Sequence, residues 1–290
     1  MKHIFLINSY TVKDDVDKLK EKIKEYCKLN KIDYKIEVNG NGLETEDILD
    51  NYQDTKYIIH AIGGDGIINR TLNKLINTKN ILSFIPYGTG NDFYKTVQKQ
   101  FKIGNNKCDA IKINDKYFIN TACFGIDADV ANNKNMIKAS WIPKASKYTL
   151  ALLYTFFKYK CRNFEVKVEN KEINKYFATI AICNGDYYGG GYNIGPSSNL
   201  TDGKFEVYLV PKLNKISMIK LILSMKKGKH ENSKRLEKIT TDKILIKSPI
   251  TFTCNIDGEK LEGNEFDIKL VPNAITIYYN EDLIQHLKKD

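Results

Sequence analysis

The chain has 290 residues, with 45 Lys or Arg against 35 Asp or Glu, and a formal net charge of +10. Its 42% hydrophobic residues can fill one large core or two medium ones, and the charge favours an anionic partner, although a chain-wide abundance of lysine explains part of the excess. Six scattered cysteines without a CxxC pair exclude a typical zinc or thiol-redox site and suit a reducing cytosol.

The first hundred residues alternate between β-rich runs and helical periodicity. In the first helical segment, for example, Val16, Leu19 and Ile23 recur at helical spacing. The predicted strands are His3–Asn8, Tyr34–Val38, Tyr57–Ile62 and Ile81–Ile85, and the predicted helices are Asp14–Leu29, Glu44–Tyr52 and Ile67–Ile76. This alternation indicates parallel strands joined by right-handed crossovers.

Beyond Cys108 the pattern changes to short strands separated by turn residues such as Asn114-Asp115. The predicted strands are Ala110–Ile113, Tyr117–Ala122, Phe164–Val168, Tyr176–Cys183, Phe205–Val210, Lys243–Ile246, Thr251–Ile256, Phe266–Leu270 and Ala274–Tyr279. The predicted helices are Lys144–Tyr159, Lys215–Lys227 and a short terminal one at Glu281–Lys289. Closely spaced strands of this kind are typical of an antiparallel sandwich.

The predicted fold class is therefore α/β plus all-β, in two domains. We expect residues 1–107, joined by the C-terminal segment 280–290, to form a three-layer α/β domain, and residues 108–279 to form an antiparallel β-sandwich domain. The longest apolar run, Tyr148–Phe157, is shorter than the ~20 residues that span a bilayer, and the N-terminus does not resemble a signal peptide. We therefore expect a cytoplasmic protein whose membrane contact is peripheral.

The segment AIGGDGIINRTLNKL, residues 61–75, carries the first sign of chemistry. A buried strand leads through Gly63 and Gly64 to Asp65 and a helix, so backbone N–H groups can approach phosphate oxygens closely and the helix dipole favours them. Asp65 is placed where a carboxylate could hold a magnesium ion. Two glycines alone would more simply indicate a tight turn; the embedded aspartate and a second loop favour phosphate binding.

That second loop is IPYGTGNDF, residues 85–93, which also follows a strand and opens a helix. It offers the hydroxyl of Thr89, the amide of Asn91 and the carboxylate of Asp92. Two such loops at the same end of neighbouring parallel strands converge on one crevice, where open α/β sheets bind ligands.

These two segments resemble the catalytic domain shared by diacylglycerol, sphingosine and ceramide kinases and bacterial lipid kinases, usually GGDGTxNE and PxGTxNDF. The resemblance continues through CDAIKINDKYFIN at 108–120, NLTDGKFEV at 199–207 and NIDGE at 255–259. It implies a diacylglycerol kinase-like and NAD kinase-like nucleotide domain, ATP as co-substrate, Mg²⁺ as cofactor and transfer of phosphate to a lipid hydroxyl, with diacylglycerol the leading substrate. The sandwich domain at 108–279 would then bind the lipid substrate. We expect no nucleic-acid partner and leave open a homodimer.

Roles carried over from the resemblance fall on matching positions. The implied ATP contacts are Asn8, Gly63, Gly64, Asp65, Gly66, Ile67, Asn69, Arg70, Thr89 and Asn91. The implied carboxylate network around catalytic magnesium is Asp65, Asp92 and Asp109. Asp202 resembles the ligand of a structural magnesium ion, completed by the backbone carbonyls of Asn199 and Lys204, and Glu259 resembles the proton acceptor for the lipid hydroxyl.

Each of three assignments also has a purely structural explanation. Asp109 could be an ordinary strand-end residue, Asp202-Gly203 a plain hairpin turn, and Glu259 a solvated residue after an Asp-Gly turn. The chain also departs from the family pattern at three places. Asn8-Ser9-Tyr10-Thr11 lacks the usual proline and glycine, Ile67 replaces a threonine, and Arg70 replaces a glutamate and could instead meet a phosphate.

Two segments bear on lipid access. Lys212–Lys229 predicts a helix with a broad stripe of apolar residues and lysines on the remainder, which suits either an anionic membrane surface or packing on its own domain. Tyr187–Tyr192 reads as a flexible aromatic loop that could border a lipid entrance or be an ordinary sandwich loop.

Two other functions stay open on sequence grounds. NAD kinase shares the GGDG loop, although PYGTGNDF argues against it. A regulator that binds nucleotide or lipid without turnover is kept open by Ile67 and Arg70, whereas Asp65 and Glu259 favour an active enzyme.

Overall fold

A computed structural model describes residues 1–40, 42–53, 55–125 and 161–288. They fall into two compact units: unit 1 comprises Met1–Cys108 and Asn273–Asp290, and unit 2 comprises Asp109–Pro272. The predicted helix at Lys144–Tyr159 lies outside the described residues.

The described strands and helices are numbered in chain order. The strands are β1 (His3–Asn8), β2 (Tyr34–Asn39), β3 (Ile58–Gly63), β4 (Ile81–Pro86), β5 (Gly104–Ile113), β6 (Lys116–Phe118), β7 (Thr121–Gly125), β8 (Arg162–Val168), β9 (Lys171–Cys183), β10 (Tyr187–Tyr188), β11 (Tyr192–Asn193), β12 (Phe205–Pro211), β13 (Glu237–Thr241), β14 (Lys243–Ile256) and β15 (Glu259–Tyr279). The helices are α1 (Ser9–Val12), α2 (Val16–Leu29), α3 (Thr45–Asp50), α4 (Asp65–Leu75), α5 (Asp92–Gln100), α6 (Lys215–Met225) and α7 (Glu281–Lys288).

Unit 1 contains a parallel sheet in the order β15-β4-β3-β1-β2, to which β15 contributes its last residues. All residues of β3 and β4 are buried, which explains their continuous apolar sequence, since parallel strands are covered on both faces. The chain moves from β1 to β2 in one direction and from β3 to β4 in the other. Right-handed crossovers therefore place α2 on the face opposite α3 and α4, and α7 packs on α2.

The sequence prediction of one helix from Asp14 to Leu29 is wrong at its start. Two short elements precede α2: the one-turn helix α1 and a 3₁₀ turn at Lys13–Asp15. Asn8 caps α1 by accepting the Tyr10 N–H through Oδ1 at 3.1 Å, and Lys13 at φ +55° ends it. At α4 the difference is reversed, because helical backbone begins at Asp65, two residues before the apolar periodicity.

The end of β15 belongs to unit 1, although the sequence analysis placed residues up to 279 in the sandwich. Thr276 and Ile277 pair in parallel with Ile81 and Leu82, so this stretch is an edge strand of the parallel sheet of unit 1. Asn273 at φ +51° marks the boundary between the two parts of the strand. Sequence alternation alone does not reveal the partner of a strand, so the boundary could not be located in advance.

Unit 2 is built from antiparallel strands in the order β13-β12-β9-β7-β14-β15. Strand β8 pairs with the first halves of β9 and β14, and β7 pairs with their second halves, so the sheet folds back on itself. The predicted class of an α/β domain followed by a β-sandwich domain is confirmed. Four strands that the sequence analysis predicted separately merge in pairs into the two long strands β14 and β15. The sequence analysis missed the edge strand β13, because its polar sequence EKITT lacks an apolar face.

Two apolar clusters fill unit 2. The larger one lies inside the folded sheet, where the rings of Phe124, Phe252 and Phe266 pack with centroids 5.0 to 5.9 Å apart. The second lies under α6 and includes Tyr188, Tyr192 and Tyr208. Among the described helices, none has the length and apolar character that crossing a membrane requires.

Candidate active site

The first glycine loop lies where β3 passes into α4. Gly63 is the last residue of the strand, Gly64 caps the helix in extended conformation, and Asp65 is the first helical residue. The N–H groups of the first helical turn have no partner within the helix, and they point toward the end of the strand. Local sequence alone therefore produces an anion-binding arrangement at this end of the sheet.

The second glycine loop is in backbone contact with the first. The N–H groups of Tyr87 and Gly88 both donate to the carbonyl oxygen of Gly63, at 2.8 and 3.2 Å. A β-carbon on Gly88 would lie 2.6 Å from the Cα of Gly64, which no side chain tolerates. Gly88 is thus required by the close approach of the two loops, and the predicted convergence of the loops is what the structure shows.

Asp65 and Asp92 occupy this junction. The Asp65 carboxylate accepts the backbone N–H groups of Asp92 and Phe93, each at 3.3 Å, and so joins the start of α4 to the start of α5. The Oδ2 atoms of both aspartates lie 3.5 Å from the position that a β-carbon on Gly90 would take. Lys95 Nζ forms an ion pair with Asp92 Oδ1 at 3.0 Å.

The surroundings of Asp65 alter the ionisation of its carboxyl group. Burial and the nearby charge of Asp92 raise the pKa of Asp65, and its backbone hydrogen bonds and Lys95 oppose the shift only in part. A pair of partly desolvated carboxylates is a favourable place for a divalent cation, because the cation removes their repulsion. The oxygen donors present here therefore fit the Mg²⁺ that the resemblance implies.

The end of β1 completes the same edge of the sheet. Strand order reverses between β1 and β3, and at this switch point Asn8 lies against the first loop: a β-carbon on Gly63 would lie 3.2 Å from the Asn8 β-carbon. Asn39, at the end of β2, was missed by the sequence analysis. Its buried side chain accepts the Ser9 N–H at 3.0 Å and donates to Thr45 Oγ1 at 2.9 Å.

A cleft of about 260 Å³ adjoins the second loop on the α2 face. Its lining combines residues of α2, the second loop and the last turn of α7: Asp15, Lys18, Leu19, Lys22, Pro86, Tyr87, Gly88, Asn91 and Lys288. The lysines give it cationic walls beside Asn91, one of the predicted ATP contacts. Sequence analysis could not find them, because Lys18 and Lys288 stand at opposite ends of the chain.

The other predicted ATP contacts differ in what they can offer. Thr89 is exposed and Gly66 partly so, which leaves a hydroxyl and a backbone amide accessible. Asn91 adopts φ +50°, donates to the Gly88 carbonyl at 2.8 Å, and has a buried Oδ1 without a partner among the described residues. Ile67 and Asn69 are buried in α4, where the Asn69 Oδ1 accepts from Asn73 at 3.2 Å.

Arg70 points to a neighbouring helix. Its Nη1 lies 3.5 Å from Glu44 Oε2 at the start of α3, so part of its charge is used in a contact between α4 and α3. Its Nε is buried without a hydrogen-bond partner among the described residues. The suggestion that Arg70 meets a phosphate has no support in this arrangement.

Asp109 is bonded to the turn that contains Asp202, and both residues belong to unit 2. The buried Asp109 Oδ2 accepts the Gly203 N–H at 2.9 Å, while Asp202 Oδ1 accepts the Lys204 N–H at 3.0 Å. The Asn199 side chain similarly accepts the Thr201 N–H at 3.0 Å. Asp109 therefore orders the very loop to which the structural metal was assigned, while Asp65 and Asp92 lie in unit 1.

The donors of this loop suit a hard cation in type, since they are a carboxylate and backbone carbonyls. Asp202 itself is exposed, and the described residues contain no group of three or more His, Cys, Asp or Glu side chains placed to hold a metal ion. A magnesium ion at Asp202 would therefore take most of its ligands from backbone and water. The metal roles of Asn199, Asp202 and Lys204 stay a prediction.

Glu259 opens β15, directly after a turn at Asp257-Gly258. Its Cα pairs with Ile256 across the hairpin and its side chain is partly exposed. Among the described residues, its carboxylate makes no hydrogen bond or ion pair, so its lone pairs are available to an incoming hydroxyl.

The expectation of a flexible aromatic loop at Tyr187–Tyr192 is wrong. Strands β10 and β11 form a small hairpin whose Gly189, Gly190 and Gly191 all adopt positive φ, and Tyr188 and Tyr192 are buried in the cluster under α6. The glycines permit a tight turn, and the tyrosines anchor it.

Two family models match successive parts of the chain. Residues 2–118 match the model of the diacylglycerol kinase catalytic domain, and residues 120–279 match the YegS C-terminal NAD kinase beta sandwich-like domain. The second match alone covers more than half of the chain.

Individual relatives cover most of the chain. A protein of Alcanivorax borkumensis named "Probable lipid kinase YegS-like" is 26% identical over 77% of this chain and 79% of its own length. A protein of the same name from Yersinia enterocolitica is 29% identical over 75% of this chain and 77% of its own.

Among solved structures, a crystal structure titled as a diacylglycerol kinase from Bacillus anthracis aligns with a TM-score of 0.73 and 20% identity, covering 97% of this chain and 98% of the other. At this identity it shows a shared fold. With both domain models matched in order along one chain, the protein belongs to the diacylglycerol kinase-like lipid kinase family with a YegS-type C-terminal domain.

Proposed function

We propose that the protein transfers the γ-phosphate of ATP to a lipid hydroxyl, and that the lipid is diacylglycerol, giving phosphatidic acid. The observation that carries the proposal is the backbone contact between the two glycine loops, which brings Asp65 and Asp92 to the end of a parallel sheet. Phosphoryl transfer needs positioning and charge neutralisation more than covalent chemistry, and this edge supplies both.

The reaction forms one P–O bond and breaks another. The lipid hydroxyl oxygen attacks the γ-phosphorus, the bond from that phosphorus to the β,γ-bridging oxygen breaks, and ADP leaves. Glu259 accepts the hydroxyl proton, and a carboxylate suffices if the proton moves late in the step. Backbone N–H groups after Gly63 and after Gly88 hold phosphate oxygens.

Mg²⁺, when bound, neutralises charge on the β- and γ-phosphate oxygens. In this chain Asp65 and Asp92 would hold it, directly or through water, because their mutual repulsion is relieved by a cation. Lys18, Lys22 and Lys288 give the adjacent cleft a positive wall toward a polyphosphate.

An assay with Mg-ATP, purified protein and diacylglycerol in mixed micelles tests the proposal, with mass spectrometry of the lipids as readout. We expect phosphatidic acid from the wild type and none from Asp65→Asn. Phosphorylation of another lipid would contradict only the assignment of diacylglycerol as the substrate. Conversion of NAD to NADP would instead identify a NAD kinase, and ATP binding without any phosphorylated product would identify a regulator.

We also propose peripheral contact with an anionic membrane through α6. In the folded protein the apolar residues of α6 fall into two groups, although the sequence analysis described them as one broad stripe. Met218, Leu221, Ile222 and Met225 pack into unit 2, whereas Ile216 and Leu223 are 70% and 58% exposed. The surrounding lysines are Lys212, Lys215, Lys220, Lys226, Lys227 and Lys229, and no acidic residue interrupts them between 212 and 229. Exposed apolar side chains among lysines match an anionic bilayer surface.

A further inference from the structure

The side chain of Asp257 is bound by the backbone of a distant segment. Its Oδ2 accepts the Ile119 N–H at 2.7 Å, its Oδ1 accepts the Thr121 N–H at 2.8 Å, and the Asn120 N–H lies 3.1 Å from Oδ1 and 3.3 Å from Oδ2. We call residues 119–121 the amide segment. Only 6% of Asp257 is exposed, so these bonds are made away from water.

Hydrogen bonds from several N–H groups to one buried carboxylate are strong, because the acceptor is charged and the surroundings have a low dielectric constant. The backbone adds to them, since the Asp257 N–H donates to the Thr121 carbonyl at 3.0 Å. Residues 119 and 120 of the amide segment also separate β6 from β7, where the sequence analysis had predicted one continuous strand, Tyr117–Ala122. The Asp257 carboxylate thus accepts hydrogen bonds from N–H groups that, in a regular strand, would donate to a neighbouring strand.

The amide segment is itself held in place. Asn184 Nδ2 donates to the Ile119 carbonyl at 2.7 Å, and the N–H groups of Asn184 and Gly185 both donate to the Asn120 carbonyl at 2.9 Å. Asn184 is completely buried. Asp257 therefore attaches its turn to a fixed part of unit 2.

The turn itself leads to Glu259. Asp257 adopts φ +48° and Gly258 adopts φ +95°, and the Gly258 N–H donates to Asn255 Oδ1 at 3.0 Å. Glu259 is the next residue, and its carboxylate makes no hydrogen bond among the described residues. Because no described side chain holds the Glu259 carboxylate, the location of that carboxylate depends on where the backbone of this turn is held.

We propose that Asp257 is a positioning residue that fixes the Glu259 carboxylate through the amide segment. The proposal rests on the proposed function, in which Glu259 accepts the proton of the lipid hydroxyl. A displacement of a catalytic group by about 1 Å costs on the order of 100-fold in rate, so a residue that anchors the turn contributes to turnover without touching substrate.

Asp257→Asn tests this role with little change to the backbone, because asparagine tolerates the left-handed region well. The amide nitrogen of asparagine would face the N–H groups of the amide segment, which removes an acceptor and adds a donor. We expect kcat on diacylglycerol to fall by about tenfold or more, with KM for ATP changed by less than about twofold. Glu169→Gln is the matched control, since Glu169 also has φ +51° in an exposed turn of unit 2 and should keep full kcat.

Combination with Glu259→Gln separates positioning from general loss of structure. If Asp257 acts through Glu259, the double variant is as slow as Glu259→Gln alone, because the group being positioned is already absent. Multiplied rate losses, or a kcat for Asp257→Asn equal to that of the wild type, would overturn the proposal.

Hydrogen exchange gives a readout that does not need turnover. Amides of 119–121 should exchange faster in Asp257→Asn than in the wild type and in Glu169→Gln, with amides of β8 unchanged. If the wild type phosphorylates no lipid while this exchange difference is found, the proposed function fails and the attachment of the turn stands. Unchanged exchange at 119–121 would show that Asp257 does not hold the turn.

Discussion

At the scale of single residues, Asp65 combines a stability cost with a predicted catalytic role. Its pKa is raised in the folded protein, chiefly by burial and then by Asp92. A carboxyl group with a raised folded pKa contributes stability below its unfolded pKa and loses that contribution as pH rises through the folded value. At neutral pH the ionised side chain is therefore unfavourable for folding, as is common for groups kept for function.

We predict that Asp65→Asn lowers the rate of lipid phosphorylation by more than about tenfold, which is about 1.4 kcal/mol of barrier. Its melting temperature near neutral pH should be no lower than that of the wild type, because the neutral amide removes the repulsion with Asp92. Calorimetry and the lipid assay measure both. Asp17→Asn, an exposed charge removal in the same unit, should leave the rate unchanged. A mutant with nearly full activity would remove Asp65 from the site.

At the scale of elements, a histidine pair joins β1 to β3 in unit 1. His3 Nδ1 and His60 Nε2 are 2.9 Å apart, and the completely buried His60 ring stacks on Phe5 with centroids separated by 4.4 Å. Tyr278 meets both histidine rings edge-on. Burial lowers the pKa of each histidine. The charge of the N-terminus lowers the pKa of His3 further, and Asp33 partly offsets this change, while the charge of His3 lowers the pKa of His60 further.

We predict that acid weakens this sheet. A histidine whose folded pKa is lowered contributes stability above its unfolded pKa of about 6.5 and loses it as pH falls toward the folded value. Urea unfolding of the wild type should therefore give a lower free energy of unfolding at about pH 5.5 than at about pH 7.5. His60→Phe keeps the ring on Phe5 and should show a smaller decrease; an equal decrease would assign the acid effect to other groups.

The loop from Asn199 to Lys204 offers a second test at this scale. If Asp202 binds a stabilising magnesium ion, Asp202→Ala should reduce the difference in melting temperature between samples with magnesium and with chelator. A magnesium concentration about tenfold above the dissociation constant stabilises the folded protein by about 1.4 kcal/mol, which raises the melting temperature of a protein of this size by roughly 2–4 °C. Asp242→Ala removes a carboxylate that pairs with Lys204 and should keep the full magnesium response. Equal responses of both variants and the wild type would make Asp202 a turn residue.

At the scale of the whole molecule, the net charge of +10 favours the proposed contact with an anionic membrane. Each lysine near an anionic surface contributes about 1 kcal/mol at most, so several must act together. We predict faster turnover on vesicles with anionic lipid than on neutral ones. That advantage should shrink as salt rises from about 0.1 M to about 1 M, because the Debye length falls from ~10 Å to ~3 Å.

Replacing Lys226, Lys227 and Lys229 with Gln should reduce this anionic-vesicle advantage and preserve turnover on a dispersed short-chain lipid. The charge-matched control replaces Lys167, Lys171 and Lys175, which are exposed on β8 and β9 of the same unit. If both triple variants lose the advantage equally, net charge is responsible and α6 is not the docking face. Equal turnover of the wild type on both kinds of vesicle would end the docking proposal.

The sequence by itself determined the fold class, most strands, and the two loops with their aspartates. These features depend on residues close together in the chain: apolar periodicity, glycines at strand ends, and a carboxylate at the start of a helix. For the same reason Asp65 and Asp92 could be named together, since consecutive parallel strands end at one edge of a sheet.

Only the tertiary structure decided which distant residues meet. It placed Gly88 against Gly64, attached Asp257 to a segment 136 to 138 residues earlier, and paired the end of β15 with β4. It also decided that Met218 is buried and Ile216 is exposed, although both lie on the largely apolar helix α6. Each of these outcomes depends on the path of the chain through space, and local periodicity carries no information about a contact partner more than a few turns away.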